Sequence, residues 1–165
     1  MRIEIRKLAL NSALSEETNC YTAEVWIDGE RAFLASNRGH GGADDYHQVG
    51  AVTEQEVDAW LRANRPVIRT HGVEIAHTLE IEVGDLIEEE EQLRALRRRC
   101  RSHVVTIEDG SVFSYPLKGR AASALATMIK VRKPGTTIVN DAGENVLRTA
   151  ARAIIAAARL AEASA

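Results

Sequence analysis

The chain has 165 residues, of which 45% are hydrophobic, 27% charged and only 4% aromatic. Its core is therefore built from Ala, Val, Ile and Leu, and the composition excludes extensive disorder, a collagen-like repeat and a disulfide scaffold. A formal charge of -3 excludes a uniformly basic nucleic-acid binder, yet the charge is uneven: 8 Lys+Arg stand against 14 Asp+Glu over residues 1–82, and 13 against 10 over 83–165.

Ile3 and Ile5 share one strand face while Leu8 and Leu10 fall on the other parity, so a bulge is expected at Arg6-Lys7. A polar segment follows, and then Cys20 to Ile27 alternates up to Asp28-Gly29. Asp-Gly between alternating runs predicts a tight hairpin, because both loop residues must accept positive φ. A two-residue loop sets Trp26 opposite Arg31, Val25 opposite Ala32 and Ala23 opposite Leu34. Thr53-Glu54-Gln55-Glu56 is a capping box, with Val52 and Val57 spaced as a hydrophobic staple, and it opens a helix that Pro66 closes.

Over residues 73–83 the patterns of strand and helix overlap. Val73, Ile75, His77, Leu79, Ile81 and Val83 alternate, while Leu79, Val83 and Leu86 keep helical spacing. Asp85 to Cys100 is helical, with Gly84 as its start or a kink. Glu88 to Glu91 fall in its first turns and its last turns hold Arg94, Arg97, Arg98 and Arg99, as the macrodipole favours. A second Asp-Gly hairpin, Asp109-Gly110, joins Val104–Ile107 to Val112–Tyr115. Ala121 to Arg132 forms a helix with Leu125, Met128 and Ile129 inward. A short strand, Thr136 to Val139, then leads to a helix capped by Asp141 and Glu144. That last helix buries Val146, Leu147, Ala150, Ile154 and Ile155. These elements predict an α+β fold: one mixed sheet, two Asp-Gly hairpins and about four helices in a single domain, 1–165. Any subdivision is expected between a half 1–70 and a half 71–165.

Cys20 and Cys100 belong to no C-x-x-C pair and read as reduced thiols in a cytoplasmic protein. The charged, alternating start is unlike a signal peptide. The most apolar stretch, Ala142 to Ala163, contains Arg148, Arg152 and Arg159, which excludes a membrane span there. A long Ala-rich terminal helix, or an edge strand, would suit a homodimer.

The most unusual stretch is Ser36 to His47, with three glycines in four positions at Gly39, Gly41 and Gly42. Consecutive amides in such a loop can form an anion-binding nest, although no Gly-Lys-Ser/Thr ending follows; the plainer reading is a sharp connection. His40, Asp44 and His47, with His71 or His77 from elsewhere, are the candidate ligands should a metal bind; no metal or other cofactor is expected. His77, set among apolar residues, reads instead as a hydrogen-bonded core histidine. Glu16 and Glu17 can act as acid and base or meet a basic partner; the plainer reading is that Ser15 and Thr18 cap a turn and the glutamates stay solvated. Arg94, Arg97, Arg98, Arg99 and Arg101, with Arg148, Arg152 and Arg159, form either solvated helix faces or a contact for nucleic acid. No metalloprotease pair, nucleophile elbow or dinucleotide fingerprint is present.

The pairing of Ser15-Glu16-Glu17-Thr18-Asn19-Cys20-Tyr21 with Ser36-Asn37-Arg38-Gly39-His40-Gly41-Gly42 resembles a set of small bacterial and mobile-element (phage or plasmid) proteins without an established activity. They share a "SEET" turn, an Asp/Asn-Gly hairpin, a Gly-rich loop and a strand-Asn-Asp-helix ending, here Thr136 to Glu144. The likeness covers roughly residues 1–50 and, more loosely, the rest. It implies an interaction protein, and no catalytic residue follows from it. The expectation is a non-catalytic protein-binding module, a phage or mobile-element factor that inhibits a host defence protein, using Glu16, Glu17, Arg38, Gly39, His40, Gly41, Gly42, Asp44, Asp45 and His47. A nucleotide-binding protein or metal-dependent hydrolase on the same loop is the alternative, and a nucleic-acid-associated protein is the third.

Overall fold

The computed structural model describes residues 1–70 and 72–163. The fold is α+β, with four helices and antiparallel sheets, and it divides into two compact units, Met1–Ile87 and Glu88–Ala165. The one mixed sheet of the sequence reading is replaced by three separate sheets in which every pairing is antiparallel.

In the first unit β1 (Ile3–Leu10), β2 (Cys20–Ile27), β3 (Glu30–Arg38) and β4 (Asp45–Gln48) form a sheet in chain order. The first bulge lies where the phase change puts it. Arg6 pairs with Glu24 and Ala9 with Thr22, and Lys7 between them has φ 52. Asp28 and Gly29 have φ 50 and 89, as the hairpin requires. Trp26 does face Arg31, but Val25 faces Phe33 and Ala23 faces Ala35, one residue beyond the expected register. Ala32 is the extra residue. The bulge buries both Ala32 and Phe33 (3% and 1% exposed), which strict alternation cannot do.

One face of this sheet packs on α1 (Glu54–Asn64) and on the start of α2 (Leu79–Arg99), through Val57, Leu61, Leu79, Val83 and Ile87. The Thr53–Glu56 capping box is formed in both directions. Between these helices β5 (Ile68–Thr70) pairs with β6 (Val73–Ile75), so the ambiguous segment is strand first and helix after. The helix begins at Leu79, where the Thr78 hydroxyl caps it by accepting the Ile81 amide and Asp58 of α1 accepts the Leu79 amide at 2.8 Å. It then runs through Gly84 without a break. Glu88 to Glu91 therefore sit in mid-helix, and the macrodipole reading of them falls away.

The boundary between the units falls inside α2. In the second, β7 (His103–Glu108) is central between β8 (Ser111–Pro116) and β9 (Thr137–Ile138). Val105 meets Leu93 and Leu96 of α2 and Ala150 and Ala151 of α4 (Glu144–Ala163), whereas Val104 meets Leu125 and Ile129 of α3 (Ala122–Arg132). Successive residues of one strand thus serve two layers. Met128 corrects the sequence reading: it is 45% exposed and does not join that core. Asn140 ties the layers, donating to the Cys100 and His103 carbonyls and accepting the Val105 amide at 2.8 Å. No helix among the described residues is long and apolar enough to cross a membrane.

Candidate functional site

The polar segment before β2 and the Gly-rich loop after β3 are built as one surface. At φ 88, Gly39 turns its carbonyl toward the preceding segment, where the amides of Glu16, Glu17 and Thr18 converge on that single oxygen at 3.0, 3.1 and 3.4 Å. Three successive amides around one oxygen form a nest. It lies in the Ser15–Thr18 turn and is filled from within the chain, whereas the sequence reading set an open nest in the glycines. Gly39 itself cannot be replaced without movement: an added Cβ would lie 2.1 Å from the Leu14 carbonyl oxygen.

Side chains lock the loop further. Asn37, 8% exposed, accepts the Thr18 hydroxyl at 2.9 Å and the Gly39 amide at 2.8 Å on its Oδ1. Its Nδ2 donates to the Gly42 carbonyl and to Asp44 Oδ1, both at 2.9 Å. The Gly41 amide donates to Thr18 Oγ1. Asp44 Oδ2 accepts both the Tyr21 hydroxyl and, at 2.9 Å, the Tyr46 hydroxyl. Burial first, then the Asp44 carboxylate, drive the Tyr21 phenol well above the ordinary tyrosine range. Burial also raises Tyr46, reinforced by Tyr21 and Asp44. Both phenols stay protonated at neutral pH and act as donors.

Strand alternation splits the predicted residues between two faces. Asp44 and Tyr46 turn inward, where the Tyr46 ring meets Phe33 edge-on at 6.1 Å. Asp45 and His47 turn outward with Leu34 and Glu24 beside a shallow groove of about 400 Å³. Arg38 and His40 border another outer groove, of about 700 Å³, with Leu10, Leu14 and Cys20. A cleft of about 470 Å³ is lined by Glu16, Glu17, Thr18, Tyr21, Asp44 and Glu80. His40 Nδ1 lies 3.2 Å from Glu16 Oε2 on the exposed rim.

His40, Asp44 and His47 are accordingly not brought together, and the described residues hold no cluster of three or more His, Cys, Asp or Glu able to take a metal. His71 lies outside the described residues. His77 is buried as expected but without the expected hydrogen bond: its Nε2 is 2.9 Å from Glu82 Oε2, out of line for one, and Nδ1 has no partner. In the second unit the arginines of α4 make ion pairs within the chain while staying at the surface, Arg152 68% and Arg159 51% exposed. Arg148 binds Glu89 and Glu90, Arg152 binds Glu89, Arg159 binds Glu88 and Arg97 binds Glu144. Arg98, Arg99 and Arg101 remain exposed.

Tyr21, Asn37, Tyr46 and Glu80 were not among the residues singled out from sequence. Asn37 carried a signal: it has the inward parity of Phe33 and Ala35, a polar side chain at a core position. The fold and site together define a small α+β protein with a braced acidic surface. Comparison with protein families, curated proteins and solved structures returns no match.

Proposed function

We propose that the chain is a non-catalytic protein-binding module whose recognition face is the braced turn and loop of the first unit. The convergence of three amides on the Gly39 carbonyl carries this reading, since it fixes the loop before a partner arrives and lowers the ordering cost of association. Glu16 and Glu17 are exposed on that face, and Glu80 and Asp44 line the adjoining cleft, so the complementary surface is basic. Arg38, Asp45 and His47 lie at its outer edge. The hydroxyls of Tyr21 and Tyr46 are protonated donors and Asp44 is saturated by Asn37, Tyr21 and Tyr46, so the carboxylates left open on this face are Glu16, Glu17 and Glu80, the groups a basic partner would meet. A phosphate cradle is disfavoured for the same reason: the Gly39 and Gly41 amides already donate to Asn37 and Thr18. The resemblance to mobile-element proteins extends the proposal to a host defence protein as the target, in the cytoplasm.

Affinity capture from host lysate tests it, comparing the wild type with the double variant Glu16→Lys, Glu17→Lys. A stoichiometric protein bound by the wild type and lost by the variant is the expected result. Recovery of no such partner, or its retention by the variant, would refute the assignment. A thermal shift with a nucleotide or divalent metal, abolished by His40→Ala, would replace it with the enzymatic alternative.

A further inference from the structure

Helix α3 leaves an apolar face uncovered. Leu125 and Ile129 turn inward, but Ala124, Met128 and Val131 fall together about a third of a turn away. Met128 is 45% and Val131 77% exposed. An ordinary surface helix keeps its apolar residues on the buried side; here the side opposite Leu125 and Ile129 holds Ser123, Thr127 and Lys130, and an exposed apolar stripe runs along one flank between Lys130 and Arg132. Phe113 of β8, 46% exposed, lies 5.6 Å from the Nζ of Lys133, just past the helix end. Single exposed apolar residues are ordinary, whereas a spacing of four and three along one helix makes a stripe.

The charge along this stretch of chain has one sign. From Gly110 to Asn140 there is no Asp or Glu, and the cations are Lys118, Arg120, Lys130, Arg132 and Lys133. Lys133 is bound by Glu108. The other four form no ion pair among the described residues, while Arg97, Arg148, Arg152 and Arg159 of the same unit all do. No carboxylate stands in the first turn of α3.

We infer that this face docks an acidic amphipathic helix of a partner protein. Its apolar stripe would lie along Ala124, Met128 and Val131, and its Asp or Glu flanks would meet Lys130 and Arg132. A second copy of the chain would set Lys130 and Arg132 against like charges. Nucleic acid would use the cations but gains nothing from Met128 and Val131, and α3 offers no aromatic ring on which a base could stack. Membrane-surface helices carry Trp, Phe and Leu on the apolar face. The small Ala124 and Thr127 instead allow the close approach of helix on helix, about 8–10 Å between axes. This surface is independent of the turn and loop of the first unit, and stands or falls without them.

The test uses the isotopically labelled full chain and two synthetic helical peptides with the same leucine stripe, one flanked by Glu and the other by Lys. The Glu peptide should shift amide resonances within 122–133 and the Lys peptide should not. Val131→Asp, at an exposed position that leaves the core intact, should weaken binding about tenfold or more. Lys130→Glu with Arg132→Glu should reverse the preference between peptides. Equal binding of both peptides, no perturbation by either, or shifts confined elsewhere would overturn the inference. So would tighter binding to phosphatidylglycerol vesicles or to single-stranded DNA, or self-association abolished by Val131→Asp.

Discussion

Adding one methyl group at each loop glycine separates three costs. At Gly42 an added Cβ meets nothing within 4 Å and φ is not positive, so Gly42→Ala should change stability by no more than about 0.5 kcal/mol. At Gly41 the φ of 83 imposes a left-handed penalty of about 1–2 kcal/mol. Its nearest contacts would all be with the Glu17 side chain, chiefly Oε2 at the tip, and that exposed side chain can swing aside. Gly39→Ala carries the same backbone penalty at φ 88, and its methyl strikes the Leu14 carbonyl oxygen at 2.1 Å and Cys20 Cβ at 3.0 Å. Backbone cannot swing aside, so the turn must withdraw from Gly39 and lengthen the contacts of Glu16, Glu17 and Thr18 with its carbonyl. At roughly 0.5–1.5 kcal/mol for each net hydrogen bond, losing two of them with the strain comes to about 3 kcal/mol.

Urea denaturation followed by tryptophan fluorescence reads this directly, because Trp26 and Trp60 are the two tryptophans of the chain and both belong to the first unit. With a denaturant slope on the order of 1.5 kcal/mol per molar, Gly39→Ala should lower the midpoint by about 2 M and Gly42→Ala scarcely at all. Equal midpoints for those two variants, or a larger loss at Gly41 than at Gly39, would refute the braced-loop reasoning.

Thr53→Ala removes the hydroxyl that accepts the Glu56 amide and should cost about 1 kcal/mol in the same assay. Glu24 is held at about 2, chiefly by Lys7 and then by Trp26, and Glu108 at about 2 by Lys133, Thr106 and Tyr115. A folded pKa below the unfolded value of about 4.3 gives stability that is complete above that pH and lost as pH falls toward 2. Trp26 fluorescence should follow the loss in the first unit and amide exchange in β7 the loss in the second; a stability flat from pH 5 to pH 2 in Glu24→Gln and in wild type alike would contradict this. Burial raises Glu89, but hydrogen bonds from Arg152 and Arg148 outweigh it and leave the carboxyl below its usual range. Glu89→Ala takes a carboxylate from Arg152 but leaves Arg148 with Glu90 and Glu144, and with Arg148 and Arg152 36% and 68% exposed the cost in thermal denaturation should be about 1 kcal/mol. Arg69→Ala, in an exposed pair with Glu74, should cost under about 0.5 kcal/mol in the urea denaturation followed by tryptophan fluorescence.

Features written in a few adjacent residues were legible before the structure. Asp28-Gly29 and Asp109-Gly110 demand positive φ locally, Thr53 and Glu56 cap each other across one turn, and the bulge at Lys7 shows as a change of phase. What escaped depends on distant partners. The start of α2 is capped by Thr78 beside it and by Asp58, twenty-one positions upstream of Leu79; the second partner is invisible locally, and periodicity left 73–83 undecided. The hairpin register slipped by one because Ala32 adds a residue whose burial no alternation reveals. Glu88 to Glu91 looked like first-turn acids, whereas three of them, Glu88, Glu89 and Glu90, exist in this fold as partners for the arginines of α4.

The candidate site shows the same divide. Its glycines identified the segment, but spacing alone could not say whether its amides faced a ligand or the protein. The converging amides belong to Glu16, Glu17 and Thr18, and the oxygen they hold is that of Gly39. This makes anion binding and the braced turn mutually exclusive at those amides, since a phosphate could enter the nest only by expelling the Gly39 carbonyl. Such a ligand would have to recover the bonds it broke before showing any net affinity. A partner that reads the outside of the turn, through the exposed carboxylates of Glu16 and Glu17, meets no such penalty, which is the reason for proposing recognition there and not at the amides.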